Sequence, residues 1–174
     1  MLAGTVFNVA KTNARTPGLL QDDPPQVLDG RQRVHGAELS ATGNLTPAWT
    51  VFSAYTLLDS RVVESNNADQ IGNRFPQTPK HAFSSWTTYA FPWRVTLGGG
   101  LRYVGRRYNN INNARSVDGY WMVDAMTQIP VSDWIDIRAN LANASNGYYF
   151  ERVGGGHVIP GQSRALVITT NLRF

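Results

Sequence analysis

The stretch Ala165 to Phe174, A-L-V-I-T-T-N-L-R-F, decides the fold. Side chains of an extended strand alternate between two faces, so Leu166, Ile168, Thr170, Leu172 and Phe174 share one side while Thr169, Asn171 and Arg173 share the other. One face is apolar and the other polar. A strand divided in this way, ending on an aromatic beside an arginine, fits a sheet whose apolar side meets lipid and whose polar side meets a water-filled lumen.

Working back toward the N-terminus, the same alternation recurs. In Trp134 to Asn140, Ile135, Ile137 and Ala139 oppose Asp136, Arg138 and Asn140. In Gly119 to Ile129, Trp121, Val123, Ala125 and Ile129 oppose Tyr120, Met122, Asp124 and Gln128. Between Arg94 and Arg106, Val95, Leu97, Leu101 and Tyr103 oppose Arg94, Thr96, Arg102 and Arg106. Further extended segments are read at Leu2 to Asn13, Arg31 to Leu45, Ala48 to Val63 and Lys80 to Phe91, which makes about eight strands with no sustained helical period. Neither face of 48–63 or 80–91 declares itself.

The links between strands alternate in length. Thr46-Pro47, Pro92 and Pro130-Val131-Ser132 are tight turns, whereas 14–30, 64–79, 108–118 and 144–162 are long and polar. Short turns at one end and long loops at the other are the build of an up-and-down antiparallel outer-membrane barrel. The aromatics sort by the same rule. Trp49, Phe91, Trp93, Trp134 and Phe174 fall at the turn end, and Tyr103, Tyr108, Tyr120, Trp121, Tyr148, Tyr149 and Phe150 near the loop end. Amphipathic rings collect at the two lipid–water interfaces, whereas a soluble sandwich places large aromatics in mid-strand. An arginine facing lipid at the bilayer midplane costs about 2 to 4 kcal/mol, so Arg102, Arg138 and Asp136 are expected to point into the lumen. Every backbone polar group at membrane depth also needs a partner, which a closed barrel supplies.

The totals exclude several function classes. The chain has 174 residues, one domain's worth, with a net charge of +4. Its arginines are dispersed rather than gathered into a basic run or a nucleic-acid motif, which argues against nucleic acid as a partner. There is no cysteine, hence no disulfide, thiolate metal site or cysteine nucleophile. A mean hydropathy of -0.29 is no obstacle to membrane insertion, because only every second residue of a barrel strand is apolar. The N-terminal Met1 to Thr5 does not read as a signal peptide. His35, His81 and His157 lie far apart without metal-ligand spacing. Asp124 and Asp136 are read as lumen carboxylates balancing Arg138 and other lumen arginines, and Gly98-Gly99-Gly100 as a mid-strand allowance for bending or close approach of a neighbour rather than a phosphate loop. No catalytic residue, metal site or cofactor is expected.

With the strands placed, the wording resembles the C-terminal strands of TonB-dependent siderophore receptors along essentially the whole chain. The resemblance runs through N-V-A-K-T-N-A-R at 8–15, Q-R-V-H-G-A-E-L at 32–39, Trp49 to Asp59 with Tyr55, Pro79-Lys80-His81, G-G-G-L-R-Y-V-G at 98–105 and G-Y-W-M-V-D-A at 119–125. It continues through an N-x-x-[DN]-x-x-Y-like stretch from Asn143 to Tyr149 and P-G-Q-S-R at 160–164. Ala144 departs from the larger apolar residue usual in the family.

The resemblance implies that residues 1–174 are the C-terminal portion of a barrel of about 22 strands, without the plug domain and signal peptide such receptors carry. It implies a Gram-negative outer-membrane location and uptake of ferric siderophores by TonB-coupled transport. The alternative is a self-contained eight-stranded barrel acting as anchor or adhesin, whose first strand would pair with its last. Bulky, often anionic ferric chelates call for Arg and Tyr at the outer mouth, which singles out Arg106, Arg107, Tyr108 and Tyr120 as substrate-binding candidates. Leu172 and Phe174 are expected to carry the signal read by the barrel-assembly machinery. Expected partners are the ferric siderophore, the TonB complex through parts outside this chain, that assembly machinery and outer-membrane lipid.

Overall fold

A computed structural model describes residues 1–173, and the expected assembly role of Phe174 lies outside the described residues. The strands in chain order are β1 (Leu2–Pro17), β2 (Gln26–Thr46), β3 (Trp49–Glu64), β4 (His81–Ala90), β5 (Thr96–Val104), β6 (Arg107–Tyr108), β7 (Ser116–Val117), β8 (Tyr120–Pro130), β9 (Ile135–Ala142), β10 (Phe150–Gly154), β11 (His157–Pro160) and β12 (Ala165–Leu172). Eight of them form one antiparallel sheet in the order β1-β2-β3-β4-β5-β8-β9-β12, while β6–β7 and β10–β11 are small ladders inside the long loops. A 3-10 turn, Ala68–Gln70, is capped by the Asn67 side chain accepting from the Asp69 amide.

β1 and β12 are the two edges of this sheet and do not pair with each other. The closed eight-stranded barrel weighed above is therefore corrected: the register that would join first strand to last is absent among the described residues, and the sheet is an open arc of a larger wall. β1 and β2 also run further toward the loop end than expected. A bulge between Lys11 and Ala14, with Asn13 at φ 53°, re-aims the strand so that pairing resumes at Ala14↔Gly30 and reaches Pro17↔Gln26.

The ladder registers fix the faces. Leu166 faces Leu141, Ile168 faces Ala139, Thr170 faces Ile137 and Leu172 faces Ile135. Ala125↔Leu141 and Ile129↔Ile137 carry that face to β8, and Leu101↔Val123 and Tyr103↔Trp121 carry it to β5. Arg102, Asp136 and Arg138 fall on the opposite side, as the cost of charge in hydrocarbon requires. The two silent strands then acquire faces by register. Trp49, Val51, Ser53, Tyr55 and Leu57 of β3 pair with Tyr89, Thr87, Ser85, Phe83 and His81 of β4 on the apolar side, and Thr50, Phe52, Ala54 and Thr56 point inward.

Tyr55, Phe83, Tyr103 and Trp121 form one unbroken outward row, with ring centroids 6.4 Å apart for Phe83–Trp121 and 4.7 Å for Tyr103–Trp121. From that row to Trp49 and Tyr89 is about 20 Å along the strands. At the turn end Phe91 packs on Tyr89 at 4.8 Å and stacks on Trp93 at 5.2 Å. These are two interfacial belts bounding a hydrocarbon-facing band. Their membership differs from the sequence expectation: Tyr120 and Tyr149 turn to the lumen side and stack on each other, because Tyr120 alternates with Trp121.

Hydrophobic burial does not form a central core. Val62, Val117, Met122, Tyr149 and Val153 are buried toward the loop end, whereas Val6, Leu39, Trp121, Leu166 and Ile168 on the outward face remain exposed. A soluble sandwich would bury that second set.

Candidate functional site: the loop-end mouth

The loops 65–80, 105–119 and 143–164 pack on one another where the strands leave the membrane band. Asn113, at φ 53°, donates through Nδ2 to the Arg74 carbonyl at 2.8 Å and accepts from the Arg74 amide at 2.9 Å, a side chain imitating a strand partner. The Gln77 amide donates to the Tyr108 carbonyl at 2.9 Å, and Gln70 Nε2 donates to Asn112 Oδ1 at 3.1 Å. Backbone groups of these loops that lie outside the two small ladders are satisfied by such bonds.

Asn143 is the anchor of the third loop. It is 1% exposed and takes φ 48°, a left-handed conformation that Asn adopts more readily than most residues. Its amide donates to Asp124 Oδ1 at 2.8 Å, its Nδ2 donates to the carbonyls of Gly147 at 2.9 Å and Gln162 at 3.0 Å, and its Oδ1 accepts from the Gly147 amide at 3.0 Å. The start and end of the loop are thereby held together by one side chain. Tyr149 completes the same motif: its ring stacks on Tyr120 at 4.3 Å and lies over Gly161, where any Cβ would overlap the ring.

The four substrate-binding candidates occupy different environments. Arg107 is 6% exposed, donates to the Phe150 carbonyl and, at 2.6 Å, to the Glu151 carbonyl, and has its guanidinium 5.5 Å from the centre of the Tyr120 ring. Its Nε finds no partner among the described residues. A buried cation held this way is a pin joining the second and third loops. Arg106, next in sequence, is well exposed and pairs with a still more exposed Asp118 at 3.1 Å, an association weak enough to exchange for another anion. Tyr108 is half-buried, and Tyr120 sits with Tyr149 on the lumen side. The structure thus brings Arg107 and Tyr120 into contact and leaves Arg106 facing outward from them.

Below the loops the lumen face is polar and paired. Arg173 binds Asp136 at 2.7 Å, Arg138 donates to Gln128 Oε1 at 2.8 Å, and Arg102 approaches the Met122 sulfur at 3.3 Å. The expectation that Asp124 and Asp136 balance Arg138 and other lumen arginines holds for Asp136 through Arg173 and is corrected for Asp124. Asp136 faces Asn171 across the ladder, which places Arg173, two positions on, within reach, and Asp124 is taken by the Asn143 amide. Gly98 and Gly100 are explained by Trp86: a Cβ at Gly100 would fall 2.5 Å from the indole, and one at Gly98 3.1 Å from it. The glycines let that indole lie flat across β5 on the lumen side.

A model of the TonB dependent receptor-like β-barrel matches residues 3–144. The chain belongs to that family. TonB-dependent receptors are β-barrels of the Gram-negative outer membrane, and this chain is an all-β antiparallel piece of such a wall. The family is one of receptors and transporters rather than enzymes. Among curated proteins the chain is similar to the probable TonB-dependent siderophore receptor PiuA of Acinetobacter baumannii, 30% identical over 99% of this chain and 24% of that protein. It is also similar to the catecholate siderophore receptor Fiu of Escherichia coli K12, 31% identical over 88% of this chain and 21% of that protein. The crystal structure of PiuA superposes with a TM-score of 0.89 at 28% identity, over 98% of this chain and 26% of that one. The closed form of Fiu superposes with 0.86 at 29% identity, over 99% of this chain and 25% of that one. The chain spans about a quarter of the length of the relatives it matches.

Proposed function

We propose that this chain forms the C-terminal portion of the barrel wall and part of the outer mouth of a receptor that takes up ferric siderophores by TonB-coupled transport. The observation that carries the reading is the match along 99% of the chain to a receptor named for siderophores. A mouth of interlocked loops above a polar lumen wall supports it. The whole protein would supply the plug and the contact with the TonB complex, and the chain's own part is to line the path rather than to catalyse. Iron would arrive wrapped in its chelate, needing recognition of the chelate's charge and rings instead of protein ligands to the metal.

Within that reading Arg106 and Tyr108 are first contacts at the rim, Tyr120 is part of the vestibule wall, and Arg107 positions both loops while adding positive charge beneath them. Leu172 lies on the outward face of β12 opposite Ile135, where the assembly machinery would meet the last strand. The test is uptake of radioactive iron, supplied as a ferric tris(catecholate) or a ferric tris(hydroxamate), by cells whose sole such receptor is the full-length protein carrying this sequence. Uptake of one chelate that vanishes without TonB is the expected result, with Arg106→Ala weakening it about tenfold for one lost charge-assisted hydrogen bond. Equal iron entry with and without TonB would overturn the proposal.

A further inference from the structure

The outward face of β1–β3 carries a two-part trough that siderophore recognition does not use. Its lower part is an apolar groove of about 470 Å³, walled by Leu2, Leu39, Tyr55 and Phe83 and floored by Gly4 and Ala41. The adjoining part, about 720 Å³, begins at Val6, Ala37 and Leu57 and is rimmed toward the loops by His35, Arg61 and Lys80. The ladder makes the two continuous, since Leu39↔Tyr55, Ala37↔Leu57, His35↔Asp59 and Arg33↔Arg61 are successive outward rows. From Ala41 to His35 is about 20 Å along the strand. The aromatic row of Tyr55 and Phe83 crosses that span beside Leu39, so the groove reaches down into the hydrocarbon band while the cationic rim stands above it at headgroup depth.

Charge changes sharply along this trough. Above the aromatic row stand Arg33, Arg61, Arg74 and Lys80, and the carboxylate among them is Asp59, already approached by Arg61 at 3.2 Å, Arg74 at 3.3 Å and His35 at 3.7 Å. Arg33 and Arg61 stand directly opposite each other in register; Arg61 spends its Nε on Asp59 and one terminal nitrogen on the Gly72 carbonyl at 2.7 Å, Arg33 is exposed beside it, and the cluster carries more positive charge than Asp59 neutralises. A cationic rim at headgroup depth over an acyl-sized groove is complementary to a lipid with a charged phosphate head.

We propose that this trough is a binding site for a membrane lipid with a phosphomonoester headgroup, its phosphate held by Arg33, Arg61 and Lys80 and an acyl chain lying between Leu39, Tyr55 and Phe83. The site commits to a lipid rather than free phosphate because the cationic rim opens directly into the apolar groove. The inference rests on this face of the sheet being the lipid face.

The test is native mass spectrometry of the full-length receptor, purified in detergent and exposed to phosphatidic acid or to phosphatidylcholine of the same chains. Phosphatidic acid should be retained preferentially. Arg61→Gln with Lys80→Gln should weaken retention about 25-fold, at about fivefold per charge removed. Ala41→Trp, which fills the groove without altering charge, should also weaken it, and Arg33→Gln at an exposed position provides a variant with little bearing on folding. Equal retention of the two lipids, unchanged retention in Arg33→Gln and the double variant, full displacement by inorganic phosphate, or a bound polypeptide in place of lipid would each overturn the proposal. Heat-modifiable migration on gels reads barrel assembly separately: an unassembled wild type would sink the lipid-face reading, whereas an assembled receptor without lipid preference would sink this inference alone.

Discussion

In the β9–β12 pair the outward rows from Leu166↔Leu141 to Leu172↔Ile135 hold aliphatic residues with one threonine, whereas in the β3–β4 pair the outward rows run Trp49↔Tyr89, Val51↔Thr87, Ser53↔Ser85 and Tyr55↔Phe83. Both pairs face the same hydrocarbon. In the second, the hydroxyls are spent on neighbours. Ser53 and Ser85 share a hydrogen bond of 2.8 Å, Ser85 also reaches the Phe52 carbonyl at 3.3 Å, and Thr87 Oγ1 accepts from Trp49 Nε1 at 2.7 Å while donating to the Thr50 carbonyl at 3.1 Å. A hydroxyl whose partners are built into the sheet presents mostly carbon to lipid, so compatibility with the bilayer depends on satisfied groups rather than on residue type.

Charge separates the two faces most strongly. Ile168→Arg and Ser85→Arg should each lower the stability of the full-length receptor in lipid vesicles by about 2 to 4 kcal/mol, because both put a guanidinium into the hydrocarbon band. Thr169→Arg and Ser84→Arg, one position along on the lumen side, should cost far less. Urea unfolding followed by tryptophan fluorescence measures all four. A tolerated Ser85→Arg beside a damaging Ser84→Arg would reverse the faces assigned to β3 and β4.

A smaller effect is expected on the lumen side of the same region. Gly100→Val places side-chain carbon where the Trp86 indole lies and should cost about 1 to 3 kcal/mol by overpacking, read by the same unfolding assay. Gly99→Ala, whose Cβ would meet nothing nearer than the Asp124 carbonyl at 4.0 Å, should be nearly silent. Equal damage from both would mean that the glycines serve strand curvature instead of the indole.

These contrasts explain what was legible in the sequence. β5, β8, β9 and β12 could be divided into faces from the chain alone because their outward positions are mostly aliphatic or aromatic and their polar and charged residues collect on the other side. The same rule is silent for β3 and β4, where Ser53, Ser85 and Thr87 sit outside and Phe52 and Trp86 inside, a reversal that becomes readable only when the cross-strand partner of each is known. Strand order followed from the alternation of turns and loops, and the extension of β1 past Asn13 was hidden because a bulge interrupts the period.

The mouth was legible in part. The stretch from Asn143 to Tyr149 stood out as a motif, and the structure gives its mechanism in a buried amide bridging Gly147 and Gln162. Arg107 looked like its neighbour Arg106, yet one is a buried pin and the other a surface ion pair. What separates them is a pair of backbone carbonyls on a distant hairpin, and no residue type announces where a carbonyl will fall.

The smallest effects are expected at the hydroxyl pair itself. Ser53→Ala alone leaves the Ser85 hydroxyl with the Phe52 carbonyl as its remaining partner and should cost about 1 kcal/mol or less, while Ser85→Ala strips Ser53 of its bond at hydrocarbon depth and should cost somewhat more. Removing both leaves two apolar side chains of nearly the same shape, so the double variant should be close to neutral. The double-mutant cycle therefore predicts a favourable coupling between the two positions equal to the sum of the single losses, about 2 kcal/mol, measured by unfolding in vesicles. Additive losses would mean that each serine finds water, which would place this row outside the hydrocarbon band and move the belt inward from Tyr55 and Phe83.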